Sequence, residues 1–282
     1  MAKKKALLIG INRYRIPGAD LRGCVNDVSN MQAVLTQFYG FAAGDMSVLT
    51  DYDATKKAMQ AGIVKLLKGA KKGDVLVLHY SGHGSNVPDK NGDEADHRDE
   101  ILCPTDLDWY DPLLDDWLRA TFDTLADGVN FTVVMDCCHS GSNTRALYQP
   151  DTASIPRFLP CPLDLMAAES RRELRGTTRS TLRLSTLASR RASDIVDVDI
   201  PEMLIAGCRD TQTSADAYIQ GTYNGALTYN LVAAIKATRG RISYRDLHGS
   251  TLEKLKTGKF DQVPQLEGRK SRFDAPFLAP LA

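Results

Sequence analysis

Two short polar clusters carry side chains suited to covalent chemistry. Ser81-Gly82-His83-Gly84 follows the apolar run Asp74–Tyr80, and Asp136-Cys137-Cys138-His139-Ser140-Gly141 follows Phe131–Met135. A free thiol has a pKa of about 8.5, so only a few per cent is thiolate at neutral pH. A neighbouring imidazole raises the reactive fraction and can return the proton to a leaving amine. The glycines flanking His83 let backbone approach a substrate closely. N–H groups around Gly84 and Cys138 are placed to form an oxyanion hole, a large electrostatic term in acyl transfer. A strand-end cysteine taken alone is most often packing; a thiol and an imidazole at two strand ends are a stronger signal together. Cys137 and Cys138 compete for the nucleophile's role, because alternation along a strand sends them opposite ways and leaves one for burial. His139 reads as a turn residue. His79 and His83 have H-x-x-x-H spacing, but on a strand running into a loop rather than on a helix, so zinc is not expected.

The surrounding pattern says how these clusters are held. Ala6–Ile11, Met46–Leu49, Asp74–Tyr80, Phe131–Met135 and Met203–Cys208 read as strands. Helical spacing marks Val25–Phe38, a segment opening at Asp53-Ala54-Thr55 and running to Leu67, Asp115–Leu125, Ala226–Thr238 and Tyr244–Lys256. Strand–helix alternation of this kind predicts a mainly parallel sheet covered on both faces. Ligands of such sheets sit outside the carboxyl ends of the strands, and if Asp74–Tyr80 and Phe131–Met135 are neighbours both clusters meet at one edge. From about Ser142 to Ile200 the periodicity fails, apart from a weak helix near Leu163–Leu174. This stretch is rich in Ser, Thr and Arg, with Arg157, Arg171, Arg172, Arg175, Arg179, Arg183, Arg190 and Arg191 and no Lys. A connection so long is usually functional or disordered.

Bulk properties exclude several classes. The chain has 282 residues, 43% hydrophobic and 25% charged, with 35 Lys+Arg against 35 Asp+Glu. A balanced charge gives no reason to invoke nucleic acid or a membrane surface. No stretch approaches the roughly 18 apolar residues of a membrane span. The basic lead-in and apolar run ending at Ile11 read as a first strand rather than a signal peptide. Cys24, Cys103, Cys137, Cys138, Cys161 and Cys208 are scattered and form no disulfide framework. A cytoplasmic protein is expected.

The two clusters resemble the catalytic signatures of metacaspases, in the caspase-like group of cysteine peptidases (clan CD). Tyr80-Ser81-Gly82-His83-Gly84 matches the first; Asp136-Cys137-Cys138-His139-Ser140-Gly141 matches the second, with Cys137 where the family usually has Ser. His83 lies 55 positions before Cys138, near the roughly 50 of caspases. Leu21-Arg22-Gly23-Cys24-Val25-Asn26-Asp27-Val28, the acidic stretch Asn91–Glu100 and Gly207–Asp216 extend the likeness over nearly the whole chain outside the Arg-rich segment. It implies a caspase-like three-layer α/β/α sandwich with a mainly parallel central sheet, as a single peptidase domain over 1–282. Within it, residues 1–141 would be large-subunit-like, 142–200 an Arg-rich linker and 201–282 small-subunit-like.

The resemblance implies an endopeptidase with Cys138 as nucleophile and His83 as acid–base partner, a dyad without an evident third member, cleaving after Arg or Lys through an acyl-enzyme. Its substrates are peptides or proteins with a basic P1 residue, gripped by Cys24, Asp27, Ser81 and Asp136. It further implies calcium stimulation, with Asp99, Asp115 and Asp116 as metal-binding carboxylates; the carboxylate the family carries after the nucleophile has no match in Gly141-Ser142-Asn143-Thr144-Arg145. The acidic loop is no EF-hand, since its glycine is out of place. Self-cleavage within the Arg-rich segment and a monomeric state complete the expectations. The alternative is a catalytically inactive caspase-like module that binds peptides or partners in signalling. An α/β-hydrolase esterase would need a G-x-S-x-G elbow after a strand, and none is present.

Overall fold

The structure is a computed structural model, describing residues 2–88, 98–138, 154–162, 194–209 and 212–281. In chain order its strands are β1 (Lys4–Gly10), β2 (Met46–Thr50), β3 (Val75–Ser81), β4 (Gly84–Pro88), β5 (Arg98–Leu102), β6 (Leu113–Leu114), β7 (Asn130–Asp136), β8 (Ser154–Pro156), β9 (Ile195–Asp197), β10 (Glu202–Ala206), β11 (Ala215–Ile219), β12 (Thr222–Gly225) and β13 (Gln265–Gly268). The helices are α1 (Cys24–Tyr39), α2 (Lys56–Leu67), α3 (Asp115–Phe122), α4 (Ala226–Ala237) and α5 (Tyr244–Thr257).

Seven strands form the central sheet in the order β2-β1-β3-β7-β10-β13-β9. The first five are mutually parallel, and β13 runs antiparallel to β10 with β9 parallel beside it. Alternate residues feed two cores. Leu7, Ile9, Leu76, Leu78, Phe131 and Val133 pack on the face covered by Met59, Ile63 and Leu66 of α2 and Leu118 and Phe122 of α3. Ala6, Leu8, Val75, Val77 and Val134 pack on the other, against α1, α4 and α5. Strands buried on both faces have near-continuous apolar runs, which is why β1, β3 and β7 are readable in the sequence. The result is the expected caspase-like sandwich: helices, a mostly parallel sheet, helices.

The described ends of the 142–200 segment add strands: β8 pairs antiparallel with β11, and β9 closes the far edge of the central sheet against β13. The helix expected near Leu163–Leu174, the turn expected at His139 and most of the acidic stretch before Arg98 lie outside the described residues. Two small sheets, β4-β5-β6 and β12-β11-β8, flank the carboxyl ends of the central strands.

Candidate active site

Parallel pairing of β3 with β7 sets Ser81 opposite Asp136. Two residues further on, the chains leave the sheet side by side, one carrying His83 and the other Cys138. Adjacent strands lie about 4.8 Å apart, so the fold puts thiol and imidazole on neighbouring strand ends at one edge.

His83 is fixed by its backbone and its ring. Its N–H donates to Tyr14 Oη at 2.8 Å and its carbonyl accepts from Tyr80 Oη at 2.6 Å. Nε2 lies 2.8 Å from the Ala19 carbonyl. A carbonyl only accepts, so Nε2 carries the hydrogen and Nδ1 keeps the lone pair. Nδ1 is buried and has no hydrogen-bond partner among the described residues. Burial pushes the imidazole down to about 4, partly offset by the Ala19 hydrogen bond, so it is a neutral base at pH 7. The Ala19 carbonyl thus fixes the tautomer of the His83 ring.

Cys137 and Cys138 are both buried, against the expectation of one. Cys138 is covered by the chain itself. Its sulfur receives the Ser214 N–H and lies 3.4 Å from the Cys208 sulfur. Its own N–H donates to the Arg157 carbonyl at 3.2 Å, and the Gly84 N–H reaches the same oxygen at 3.1 Å. The two N–H groups singled out in the sequence thus converge on one acceptor, and that acceptor belongs to the Arg-rich segment.

The Arg157 side chain fills the adjoining cavity, with no exposed surface. Its Nη2 lies 2.8 Å from Asp27 Oδ2 and 3.0 Å from Asp216 Oδ1; its Nη1 donates to Ser81 Oγ at 2.7 Å and lies 3.3 Å from Asp136 Oδ2. Each carboxylate is anchored in turn. Asp27 accepts from Ser81 Oγ and the Gly225 N–H. Asp136 accepts from Ser214 Oγ and the Thr228 N–H. Asp216 accepts from the Arg22 and Gly23 N–H groups. A Cβ at Gly225 would collide with Asp136 and the guanidinium, which is why backbone alone fits there. Burial pushes Asp27 up to about 7 and Asp136 adds to this, while Arg157 opposes both. Three buried carboxylates need a cation. Cys24, at the start of α1, lies near Ser81 and Arg157, and burial drives its thiol up.

The residues expected to bind metal lie on a separate part of the chain. The antiparallel β5–β6 pairing brings the Asp99 end of β5 alongside the start of α3, where Asp115 and Asp116 sit. Among the described residues, no three acidic, His or Cys side chains converge to hold a metal.

Comparison with known proteins settles the lineage. Residues 4–146 match the family model described as metacaspase, peptidase C14 domain. Metacaspase-1A of Aspergillus fumigatus is 34% identical over 287 residues, covering 94% of this chain and 68% of the relative. The chain belongs to the metacaspase family. Metacaspase-1 of Ajellomyces capsulatus is 35% identical over 289 residues, covering 94% of this chain and 79% of its own. The crystal structure of protein GSU0716 from Geobacter sulfurreducens superposes with a TM-score of 0.69 at 29% identity, covering 99% of this chain and 100% of that one. As a metacaspase the protein is a cysteine peptidase of the C14 group, a hydrolase acting on proteins. No helix among the described residues is long and apolar enough to cross a membrane.

Four participants in this metacaspase site escape sequence reasoning. Asp216 lies on β11, which reaches the pocket only once the β11–β12 hairpin docks. The Ala19 carbonyl has no side-chain signature. Cys208 follows β10 and reads in the sequence as an ordinary core thiol. Arg157 is one arginine among many in its segment; Ile155-Pro156 precede it and Phe158-Leu159-Pro160 follow, a longer apolar run than surrounds the others.

Proposed function

We propose that this metacaspase is an endopeptidase cutting on the carboxyl side of Arg or Lys, with Cys138 as nucleophile and His83 as proton carrier. One observation carries the reading: a buried arginine has its guanidinium among Asp27, Asp136 and Asp216 while its carbonyl accepts the Gly84 and Cys138 N–H groups. A substrate arginine held the same way presents its carbonyl carbon to the Cys138 sulfur. The planar fork of Arg matches several carboxylate oxygens at once, and Lys offers a compact charge to the same acids. An acidic P1 side chain would add a fourth carboxylate to a buried cluster already pushing Asp27 upward.

In the proposed reaction His83 Nδ1 takes the thiol proton and the sulfur adds to the carbonyl. The oxyanion rests on the Gly84 and Cys138 N–H groups. The amine leaves with the proton from His83, and water hydrolyses the thioester. The Nε2–H bond to Ala19 keeps the lone pair on Nδ1 throughout. The reading includes self-cleavage within 142–200 and stimulation by calcium, for which Asp99, Asp115 and Asp116 would need further oxygen donors.

The test is hydrolysis of reporter peptides ending in Arg, Lys or Asp, with calcium or chelator, beside Cys138→Ala. Cleavage after Arg and Lys, absent in Cys138→Ala, is expected. Cleavage after Asp alone would defeat the acidic-pocket argument and leave the nucleophile standing. No turnover of any reporter would favour the inactive binding module.

A further inference from the structure

We propose that Cys208 is a resolving thiol for Cys138: a hydroperoxide drives the pair into a disulfide that caps the nucleophile, and a dithiol reductant returns both thiols. The switching of activity rests on the peptidase reading, whereas the cross-link itself does not. The contact comes from the sheet. β10 runs parallel to β7 with Ala206 opposite Met135, so the chain after β10 leaves the sheet beside the chain after β7. Cys208 then falls one strand over from Cys137 and Cys138. Adjacent strands lie about 4.8 Å apart, inside the Cα separations of about 4.4–6.8 Å that a disulfide spans. The Cys138 and Cys208 sulfurs are 3.4 Å apart. A disulfide needs about 2.05 Å, a closure that small side-chain rotations supply.

The neighbours select this pairing over the other thiol at the same strand end. Cys137 packs into the core on the α2 and α3 side of the sheet, and what Cys208 meets of it is its carbonyl, at 4.0 Å. The approach of Cys208 is built into the chain on both sides. A Cβ at Gly207 would meet Ser214 Oγ at 2.9 Å and the Cys137 carbonyl at 3.3 Å, so glycine lets the end of β10 close on the end of β7. Gln262, itself buried, donates to the Gly207 carbonyl at 2.8 Å and to Ser214 Oγ at 3.1 Å, and accepts the Ala215 N–H at 3.0 Å. Past Cys208, Gln212 donates to the Asp261 carbonyl and accepts the Val263 N–H. Residues 261–263 therefore clamp the chain before and after Cys208.

The two sulfurs have different roles. Cys138 accepts hydrogen bonds from the Ser214 N–H and from the Cys208 thiol; the Cys208 sulfur also lies 3.3 Å from the Gln212 carbonyl. The hydrogen bond to Cys138, and then burial, push the Cys208 thiol well above its usual range, so Cys208 keeps its proton. Cys208 is partly exposed and Cys138 is buried.

The chemistry balances with a hydroperoxide as oxidant. The Cys138 thiolate attacks the terminal peroxide oxygen: an S–O bond forms, the O–O bond breaks, and the thiol proton goes to the departing oxygen, which leaves as water or an alcohol. Cys138 is then a sulfenic acid. The Cys208 sulfur displaces the sulfenic oxygen, the S–S bond forms, and that oxygen leaves as water with the Cys208 proton. Two electrons have passed from two thiols to the peroxide. Held in contact, Cys208 reacts before a second peroxide carries Cys138 on to the irreversible sulfinic acid. The disulfide leaves no thiolate at position 138 to attack a carbonyl, until a dithiol reductant takes the bond by exchange. The two cysteines flank the 142–200 segment, so the bond also joins the large- and small-subunit-like parts covalently.

The experiment treats the full chain, folded by its melting transition, with hydrogen peroxide and maps its peptides by mass. Wild type is expected to lose two hydrogens and give a peptide linked through Cys138 and Cys208 that dithiothreitol separates. Cys137→Ala should still form the link, and Cys138→Ala should not. Cys208→Ser should instead gain two oxygens on Cys138 that dithiothreitol does not remove. Arg-reporter hydrolysis is followed in parallel, each protein against its own untreated sample. Wild type should fall at least ten-fold in peroxide and recover in dithiothreitol; Cys208→Ser should fall without recovery. No linked peptide, a link to Cys208 that survives Cys138→Ala, or equal irreversible oxygen uptake by wild type and Cys208→Ser overturns the proposal. A reversible link in a protein that turns over no reporter upholds the thiol pair and overturns the peptidase reading.

Discussion

Asp27 and Asp216 take hold of the same guanidinium nitrogen from opposite chain segments, one from α1 and one from β11. Removing a charge from that arrangement should weaken ground-state binding of a basic side chain more than the chemistry on the carbonyl. Asp216→Asn keeps one acceptor for the Arg22 and Gly23 N–H groups but loses the charge. In the cut enzyme we expect KM for an Arg reporter to rise about ten-fold or more, equivalent to about 1.4 kcal/mol, with kcat changing several-fold less. Steady-state kinetics checks this, and an unchanged KM would mean Asp216 only braces the backbone. The cysteine and histidine are visible in the sequence because their glycine-flanked clusters end two apolar runs. Asp216 closes the Gly207–Asp216 stretch of likeness, but its role is not legible there for a physical reason: nothing local to Thr213-Ser214-Ala215-Asp216 marks which carboxylate a distant arginine will meet. The Ala19 carbonyl, being backbone, can be found only in three dimensions.

At the scale of elements, the long, doubly buried strands and the amphipathic helices are readable, while the short strands are not. β8, β9, β11, β12 and β13 run three to five residues each, too short for a period to show, and they exist because a partner's unpaired edge is waiting. Helix starts are better marked. Thr55 accepts the Ala58 N–H at the start of α2, and Ser243 accepts the Asp246 N–H at 3.1 Å at the start of α5. The Asp246 carboxylate also takes the Ser243 hydroxyl at 2.7 Å and favours the positive end of the helix. Ser243→Ala should therefore cost about 1 kcal/mol of stability, read as a lower urea midpoint at unchanged slope. Because the Ser243 end of α5 lies by the start of β7, where Tyr244 meets Thr132 and Asn130, reporter kinetics should stay as in wild type. A loss of activity at equal stability would mean that helix positions the site.

For the whole molecule, the buried ionisable groups make folding stability depend on pH in a direction that can be worked out. His79 and His83 are both pushed down to about 4, first by burial, against about 6.5 in an unfolded chain. Between those values the unfolded chain binds two protons that the native state refuses, so acidification favours unfolding. Asp27 acts the other way. Raised to about 7 by burial, it takes its proton in the native state well before an unfolded aspartate would, near 3.9. One proton gained against two refused leaves the unfolded state ahead by about one, and His248, also lowered by burial, adds to the deficit. Stability should thus be full near neutral pH and fall as the pH drops through the histidine range, before the exposed carboxylates begin to protonate. Urea unfolding of Cys138→Ala, which removes self-cleavage, measures this slope. His79→Gln, which keeps a polar partner for Thr228 but cannot titrate, should take about one proton's worth from it. Asp27→Asn should steepen it by a similar amount, since the compensating proton disappears. A protein that grows more stable on acidification across this range would mean that the imidazoles are not buried neutral, and the account of His83 as a ready base would fall with them.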